Sequence, residues 1–280
     1  MRLSASITLM FREVPILDRF AAAAAAGFAG VEIQHLAEGD PQLMAQAAQA
    51  ADVEVALVNI GFGDFMAGGF GLSGVPGREA EFREEAAKAL EAAQRLRARH
   101  VHIGPSRVPD GCSREKCLDV YRSNVSALMD LLSRAPDPPH LLVEAMNRVE
   151  APTALFADID AASEFVAASF PGLGLILDLY HTAMNGRDAL ADYRSHSAQI
   201  RHVQFADVPG RHQPGTGQLD LMGLVKGLRV SGYDGWLGAE YRPSSTTTDS
   251  LFWLPSFRDA LRDRDSRNVD RHIAADKSLH

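Results

Sequence analysis

"VHIGPSRVPDGCSREKCLDVYRSNVSALMDLLSRAPDPPHLLVE", residues 101–144, is the stretch whose reading decides the fold. It opens on a short apolar run, Val101–Ile103, and closes on another, Leu141–Glu144. Between them Leu118, Tyr121, Val125, Leu128 and Leu132 recur three or four residues apart, which puts them on one face of a helix over Arg114–Ser133. Two strands joined through a helix read as parallel neighbours, because parallel pairing needs a long crossover connection.

The same unit recurs along the chain. Further strands are expected at Leu3–Thr8, Gly30–Gln34, Val53–Ile60, Leu173–Leu179, Ile200–Phe205 and Trp236–Glu240. Helical patterns lie between them, among others at Val14–Ala26, Arg78–Arg97, Ile159–Ser169 and Leu221–Ser231. The helix near Arg78 follows the turn Pro76-Gly77 and is rich in Ala, Glu and Arg, all good helix formers. Strand-helix alternation repeated in this way favours an α/β (β/α)₈ TIM barrel over an open doubly wound sheet. An open dinucleotide-binding sheet would carry a glycine-rich turn after its first strand. Here "ITLMFREVP" (7–15) stands in that place.

At 280 residues, with 46% hydrophobic and 23% charged residues, the chain can bury one large core. No Ser/Gly/Pro linker divides it, so residues 1–262 read as a single barrel. Residues 263–280, "DRDSRNVDRHIAADKSLH", alternate in charge and read as a solvated tail. The segment 61–77, "GFGDFMAGGFGLSGVPG", is long for a barrel loop and suggests a mobile lid with an apolar underside.

The charge balance limits the partners. With 28 Lys plus Arg against 36 Asp plus Glu, a net charge of −8 disfavours nucleic acid or an anionic membrane. The alanine run Ala21–Ala26 is too short to span a bilayer, and the first residues lack a leader pattern. Cys112 and Cys117 read as reduced packing thiols rather than a metal or redox pair. A reducing compartment follows, most simply the cytoplasm. Phe252, Trp253 and Phe257 suit either a homo-oligomer interface or the last helix packing on the barrel, the latter being the simpler expectation.

In a barrel of this kind the carboxyl ends of the strands face the active site. Four consecutive strands end in a polar group: Glu144, Asp178, Gln204 and Glu240. Carboxylates brought together in a partly dry site repel and raise one another's pKa unless a cation sits among them. An all-oxygen ligand set suits a hard divalent cation, Mg²⁺ or Mn²⁺, better than zinc. His181, three residues past Asp178, is placed to contact a substrate. His102 and His35, also near strand ends, are weaker candidates, and His212 reads as an ordinary loop histidine. Arg211 could hold a substrate carboxylate bidentately, which lysine cannot do. Asp207, in the same loop, has donors enough around it for a structural role.

Several motifs carry a family likeness. "EVPILDRFAAAAAAGFAGVE" (13–32), "PGREAEFREEAAKALEAA" (76–93), "LDLYH" (177–181), "HVQFADVPGRHQPGTGQLD" (202–220) and "GYDGWLGAEYRPS" (232–244) resemble the hydroxypyruvate isomerase family of xylose isomerase-like barrels. The resemblance covers about residues 3 to 260 and implies metal ligands at Glu144, Asp178, Gln204 and Glu240. It also implies Glu144 and Glu240 as paired proton-transfer carboxylates, with His181 and Arg211 on the substrate. Two segments depart from the family's usual pattern: Ala145-Met146-Asn147 with the following "EAPTAL", and "HIGPS" after the fourth strand. Both should border the substrate.

The implied reaction is a metal-dependent isomerisation of a small hydroxy-keto acid, hydroxypyruvate to tartronate semialdehyde, through an enediolate. A longer sugar or sugar acid (a 2-oxo-tetronate or ketohexose) and a dehydratase on the same barrel remain open alternatives.

Overall fold

Eight short parallel strands close on themselves in chain order, the first pairing with the last through Leu3↔Leu237 and Ala5↔Ala239. The computed structural model describes residues 1–262. The elements run β1 (Arg2–Ser6), α1 (Ile16–Ala26), β2 (Gly30–Ile33), α2 (Pro41–Ala50), β3 (Glu54–Asn59), α3 (Glu79–Leu96), β4 (His100–His102), α4 (Arg114–Leu132) and β5 (His140–Glu144). They continue α5 (Ile159–Ser169), β6 (Gly174–Asp178), α6 (Leu179–Met184), α7 (Ala189–His196), β7 (Ile200–Phe205), α8 (Leu221–Val230), β8 (Trp236–Ala239) and α9 (Leu254–Arg262). This is the expected (β/α)₈ barrel. The expected tail, 263–280, lies outside the described residues.

The period of two along each strand divides the core. Val31, Val58, Val101, Val143, Leu175, Leu177, Val203 and Leu237 join the helices' Phe20, Phe82, Leu128 and Phe165 in one buried cluster. Leu57, Leu142 and Ile176 form a separate small cluster. Strand ends differ from the sequence reading by a residue or two, for a local reason at the sixth. The Asp178 carboxylate accepts the Tyr180 N–H at 2.7 Å and caps α6, so the chain turns helical at Leu179.

The segment 61–77 makes several contacts to the barrel. It forms a short 3₁₀ turn at Phe65–Ala67 and a bridge from Gly71 to Ser106, and Gly71–Val75 are buried. The Arg107 guanidinium donates to the carbonyls of Phe65 and Gly69 at 2.8 and 2.6 Å and lies 3.9 Å over the Phe65 ring. Ser73 bonds Gly104 and Ser106, and Asn124 donates to the Ser73 carbonyl. Glycine is needed here for backbone geometry, since Gly63, Gly68, Gly71 and Gly77 all have positive φ. The apolar underside is present: Phe65 packs with Met146, Ala151 and Ala154.

Both cysteines are free, with Cys117 buried and its sulfur 3.5 Å from that of Cys112. Trp253 and Phe257 are buried against Phe205, as a last helix packing on the barrel would be, while Phe252 is exposed. Asp207 accepts the backbone N–H groups of Val208, Gly215, Gly217 and Leu219, a structural role. Among the described residues, no helix is long and apolar enough to cross a membrane.

Candidate active site

Glu144 and Asp178 are the last residues of β5 and β6, and Gln204 pairs in register with Asp178 from β7. Glu240 follows β8 directly and donates its N–H to the Phe205 carbonyl. The four expected strand-end residues therefore lie on one arc of the rim. Glu144, Asp178 and Gln204 are buried, and the Glu240 side chain is 13% exposed.

Glu144, Asp178 and His181 each offer one donor atom, and these atoms lie within 4.8 Å of one another. His181 Nε2 is 3.8 Å from Glu144 Oε1 and 3.6 Å from Asp178 Oδ2. None of these three buried atoms has a hydrogen-bond partner. Buried polar atoms are rarely left so, and three facing one point suit a bound cation or a polar substrate.

His181 differs in kind from the carboxylates. Its Nδ1 lies 2.7 Å from the Asn147 side-chain nitrogen and 3.4 Å from the Asn147 backbone N–H. The Asn147 amide is itself oriented by Glu150, whose N–H donates to Oδ1 and whose carboxylate accepts from Nδ2. Nδ1 is therefore the acceptor, and the ring proton sits on Nε2, where it points into the site as a donor. Burial, and then Arg211, hold the His181 pKa down to about 3, so the ring stays neutral. His102 lies behind, its Nε2 3.6 Å from Glu144 Oε2 and without a hydrogen-bond partner. Burial lowers its pKa to about 3 as well. His35 is exposed, and His212 bonds the Arg242 carbonyl.

Arg211 is positioned by a strained backbone, with φ of +53° beside the Asp207–His212 bridge. Its Nη2 donates to Glu240 Oε2 at 2.7 Å and lies 3.5 Å from Asp178 Oδ2. Its guanidinium carbon is 5.0 Å from the centre of the Tyr180 ring. The sequence suggested a grip on a substrate anion, whereas here the guanidinium faces the protein's own carboxylates. Its Nε remains buried without a partner.

The electrostatics follow from this crowding. Burial, then the charges of Asp178 and Glu240, push the Glu144 pKa well above its usual range. Burial also raises Asp178, although Arg211 and the helix N–H groups work against the shift. Glu240 rises to about 7, burial again outweighing Arg211. Burial opposes the charge on Arg211, but Glu240, Asp178 and Glu144 hold its pKa above the ordinary value. A carboxylate perturbed as Glu240 is can exchange protons near neutral pH.

One participant, Glu32, escaped the sequence reading, and two others, Asn147 and Glu150, were placed only as members of a segment bordering the substrate. Glu32, fully buried on β2, accepts from Gln204 and His202. Asn147 sets the His181 tautomer, and Glu150 receives Tyr180 Oη at 2.6 Å. The available signal for Glu32 was a lone carboxylate inside an apolar strand, "GVEI".

The profile of the family described as xylose isomerase-like TIM barrel matches residues 20–262, and the chain belongs to that family. Within it, the relatives point to the hydroxypyruvate isomerase branch that the sequence motifs resembled. The chain is 33% identical to a 2-oxo-tetronate isomerase of Cupriavidus necator, over 91% of this chain and 98% of the relative. It is 30% identical to the hydroxypyruvate isomerase of Escherichia coli K12, over 92% of this chain and 100% of the relative. A solved structure described as an AP endonuclease, family 2, from Brucella melitensis superposes with a TM-score of 0.83 at 33% identity, covering 91% of this chain and 98% of that one.

Proposed function

We propose that this isomerase interconverts hydroxypyruvate and tartronate semialdehyde through an enediolate, with Glu144 and Glu240 as the proton-transfer pair. The observation that carries the reading is the set of partnerless, buried donor atoms on Glu144, Asp178 and His181, bordered by Glu240. The curated relatives named hydroxypyruvate isomerase and 2-oxo-tetronate isomerase support the substrate class.

Glu144, Asp178, Gln204 and Glu240 would hold one divalent cation, Mg²⁺ or Mn²⁺, since hard oxygen donors suit both. When bound, the cation supplies Lewis-acid stabilisation to the negative charge that develops beside the carbonyl. His181 stays outside the ligand set, because its Nε2 carries the proton, and it donates that N–H to a substrate oxygen. The unpartnered Nε of Arg211 is the donor left for the substrate's carboxylate.

One glutamate removes a proton from the hydroxymethyl carbon. A proton returns to the former carbonyl carbon, with the second glutamate on the facing side. The hydroxyl proton passes to the new hydroxyl oxygen, so substrate and product have the same composition. General acid–base help of this kind is worth roughly 10²–10⁴ in rate.

The enzyme we propose is cytoplasmic and acts on a small keto acid or sugar acid, not on nucleic acid or membrane. A 2-oxo-tetronate in the same site is the second reading, favoured by the relatives that carry that name. Proton NMR of the purified protein with hydroxypyruvate and 2-oxo-tetronates, with Mn²⁺ and then with EDTA, tests both. Metal-dependent formation of tartronate semialdehyde is expected; no aldose–ketose conversion of any of these acids would overturn the reading.

A further inference from the structure

Beneath the strand-end arc lies a further buried carboxylate, Glu32 on β2, with no exposed surface. Ser4 Oγ donates to its Oε1 at 2.7 Å, and His202 Nε2 lies 2.9 Å from the same oxygen. Gln204 Nε2 donates to Oε2 at 2.8 Å, and Gln34 Nε2 reaches it at 3.3 Å. The pocket is shaped for this side chain, because a methyl group on Gly238 of β8 would overlap the Glu32 carboxylate.

An amide side chain can rotate by half a turn and exchange its oxygen for its nitrogen at almost no steric cost. Only the oxygen can ligate a cation. At Gln204 this freedom is removed: a carboxylate has no donor to offer the amide oxygen, so Nε2 must face Glu32. The oxygen is then the atom left for other partners.

We infer that Glu32 is a positioning residue, which fixes the Gln204 amide so that its oxygen, not its nitrogen, is offered to the cation. The inference rests on the metal reading above. It also explains why the seventh strand end carries an amide while its neighbours carry carboxylates. A glutamate at 204 would face Glu32 carboxylate to carboxylate, a repulsion inside a dry barrel. Outer partners that orient a ligand typically contribute 10–100-fold to metal affinity.

The test is Mn²⁺ titration, read by electron paramagnetic resonance, of the wild type and of Glu32→Gln, Gln204→Glu and the double exchange Glu32→Gln/Gln204→Glu. Circular dichroism checks that each variant is folded. Wild-type binding is expected, with roughly 10–100-fold weaker binding in Glu32→Gln, where the amide orientation is no longer enforced. The double exchange should recover affinity, because the amide at 32 can then donate to the carboxylate at 204. A residue with only a structural role would give a double variant no better than the worse single one.

Wild-type affinity in folded Glu32→Gln, or no recovery in the double exchange, overturns the inference while leaving the metal reading intact. Failure of the wild type to bind Mn²⁺ overturns both. If Gln204→Glu alone does not fold, the comparison of Glu32→Gln with the double exchange still decides.

Discussion

Two sets of buried charges share this barrel, and they are built in opposite ways. Around Glu32 both oxygens are met by donors from β1, β7 and Gln34, the residue after β2. Burial opposes its charge, yet the His202 ring, with the Ser4 and Gln204 donors, holds its pKa below the usual carboxylate value. At the strand ends, Glu144 Oε1 and Asp178 Oδ2 lack hydrogen-bond partners, and burial pushes the Glu144, Asp178 and Glu240 pKa values up. Both sets are buried, so burial alone does not mark the chemistry. What separates the two sets is the state of the carboxylate oxygens: both of those on Glu32 accept hydrogen bonds, whereas Glu144 Oε1 and Asp178 Oδ2 do not.

The sharpest way to break this contrast is to neutralise each set in turn. Glu144→Gln and Glu240→Gln should each lower kcat by roughly 10²–10⁴-fold, followed by NMR progress curves on hydroxypyruvate. Removing one of several like charges should leave the urea midpoint unchanged or raised. A large stability loss with activity retained would show the strand-end set to be structural. His202→Leu should act in the opposite sense, leaving Glu32 Oε1 buried with one of its two hydrogen-bond donors removed. A hydrogen bond to a buried charged group contributes about 1.5–3 kcal/mol, and this loss is read from urea unfolding. A His202→Leu protein of wild-type stability would mean that Glu32 does not depend on its partner.

Cation binding sharpens the contrast further. Mn²⁺ at a hundred times its dissociation constant should stabilise the folded wild type by about 2.7 kcal/mol. The effect should vanish in Glu144→Gln/Asp178→Asn, which lacks the partnerless oxygens, and persist in Ser4→Ala, which keeps them. Equal stabilisation of all three proteins, measured by thermal melts, would place the cation elsewhere.

The strand-end set was legible in the sequence because it depends on local pattern. A short apolar run, a parallel crossover and a polar last residue together put Glu144, Asp178, Gln204 and Glu240 on the same rim. The Glu32 set depends on closure. Its partners Ser4 and His202 stand 28 and 170 residues away, and a lone glutamate in "GVEI" could equally face solvent until the barrel is formed. The His181 tautomer is hidden in the same way, being set by Asn147, 34 residues distant. Arg211 was found as a candidate, but its pairing with Glu240 comes from a left-handed backbone position that composition does not reveal. At 61–77 the glycines serve turns, and the segment's contacts to Arg107 and Asn124 were not legible in its composition.

The smallest expected effect tests whether the Glu32 set works as a unit. Ser4→Ala removes one of the donors to Oε1 while His202 still faces that oxygen. A hydrogen bond to a charged group contributes about 1.5–3 kcal/mol, and the remaining contact argues for the lower end, about 1.5 kcal/mol. The measurement is the shift in urea midpoint, with the slope unchanged. The same substitution made in Glu32→Gln should cost only a few tenths, roughly, since the charge that strengthens the bond is gone and coupled residues do not add. Equal losses in both backgrounds would mean that Ser4 acts through packing, and that the charge on Glu32 is held by His202 and Gln204 without it.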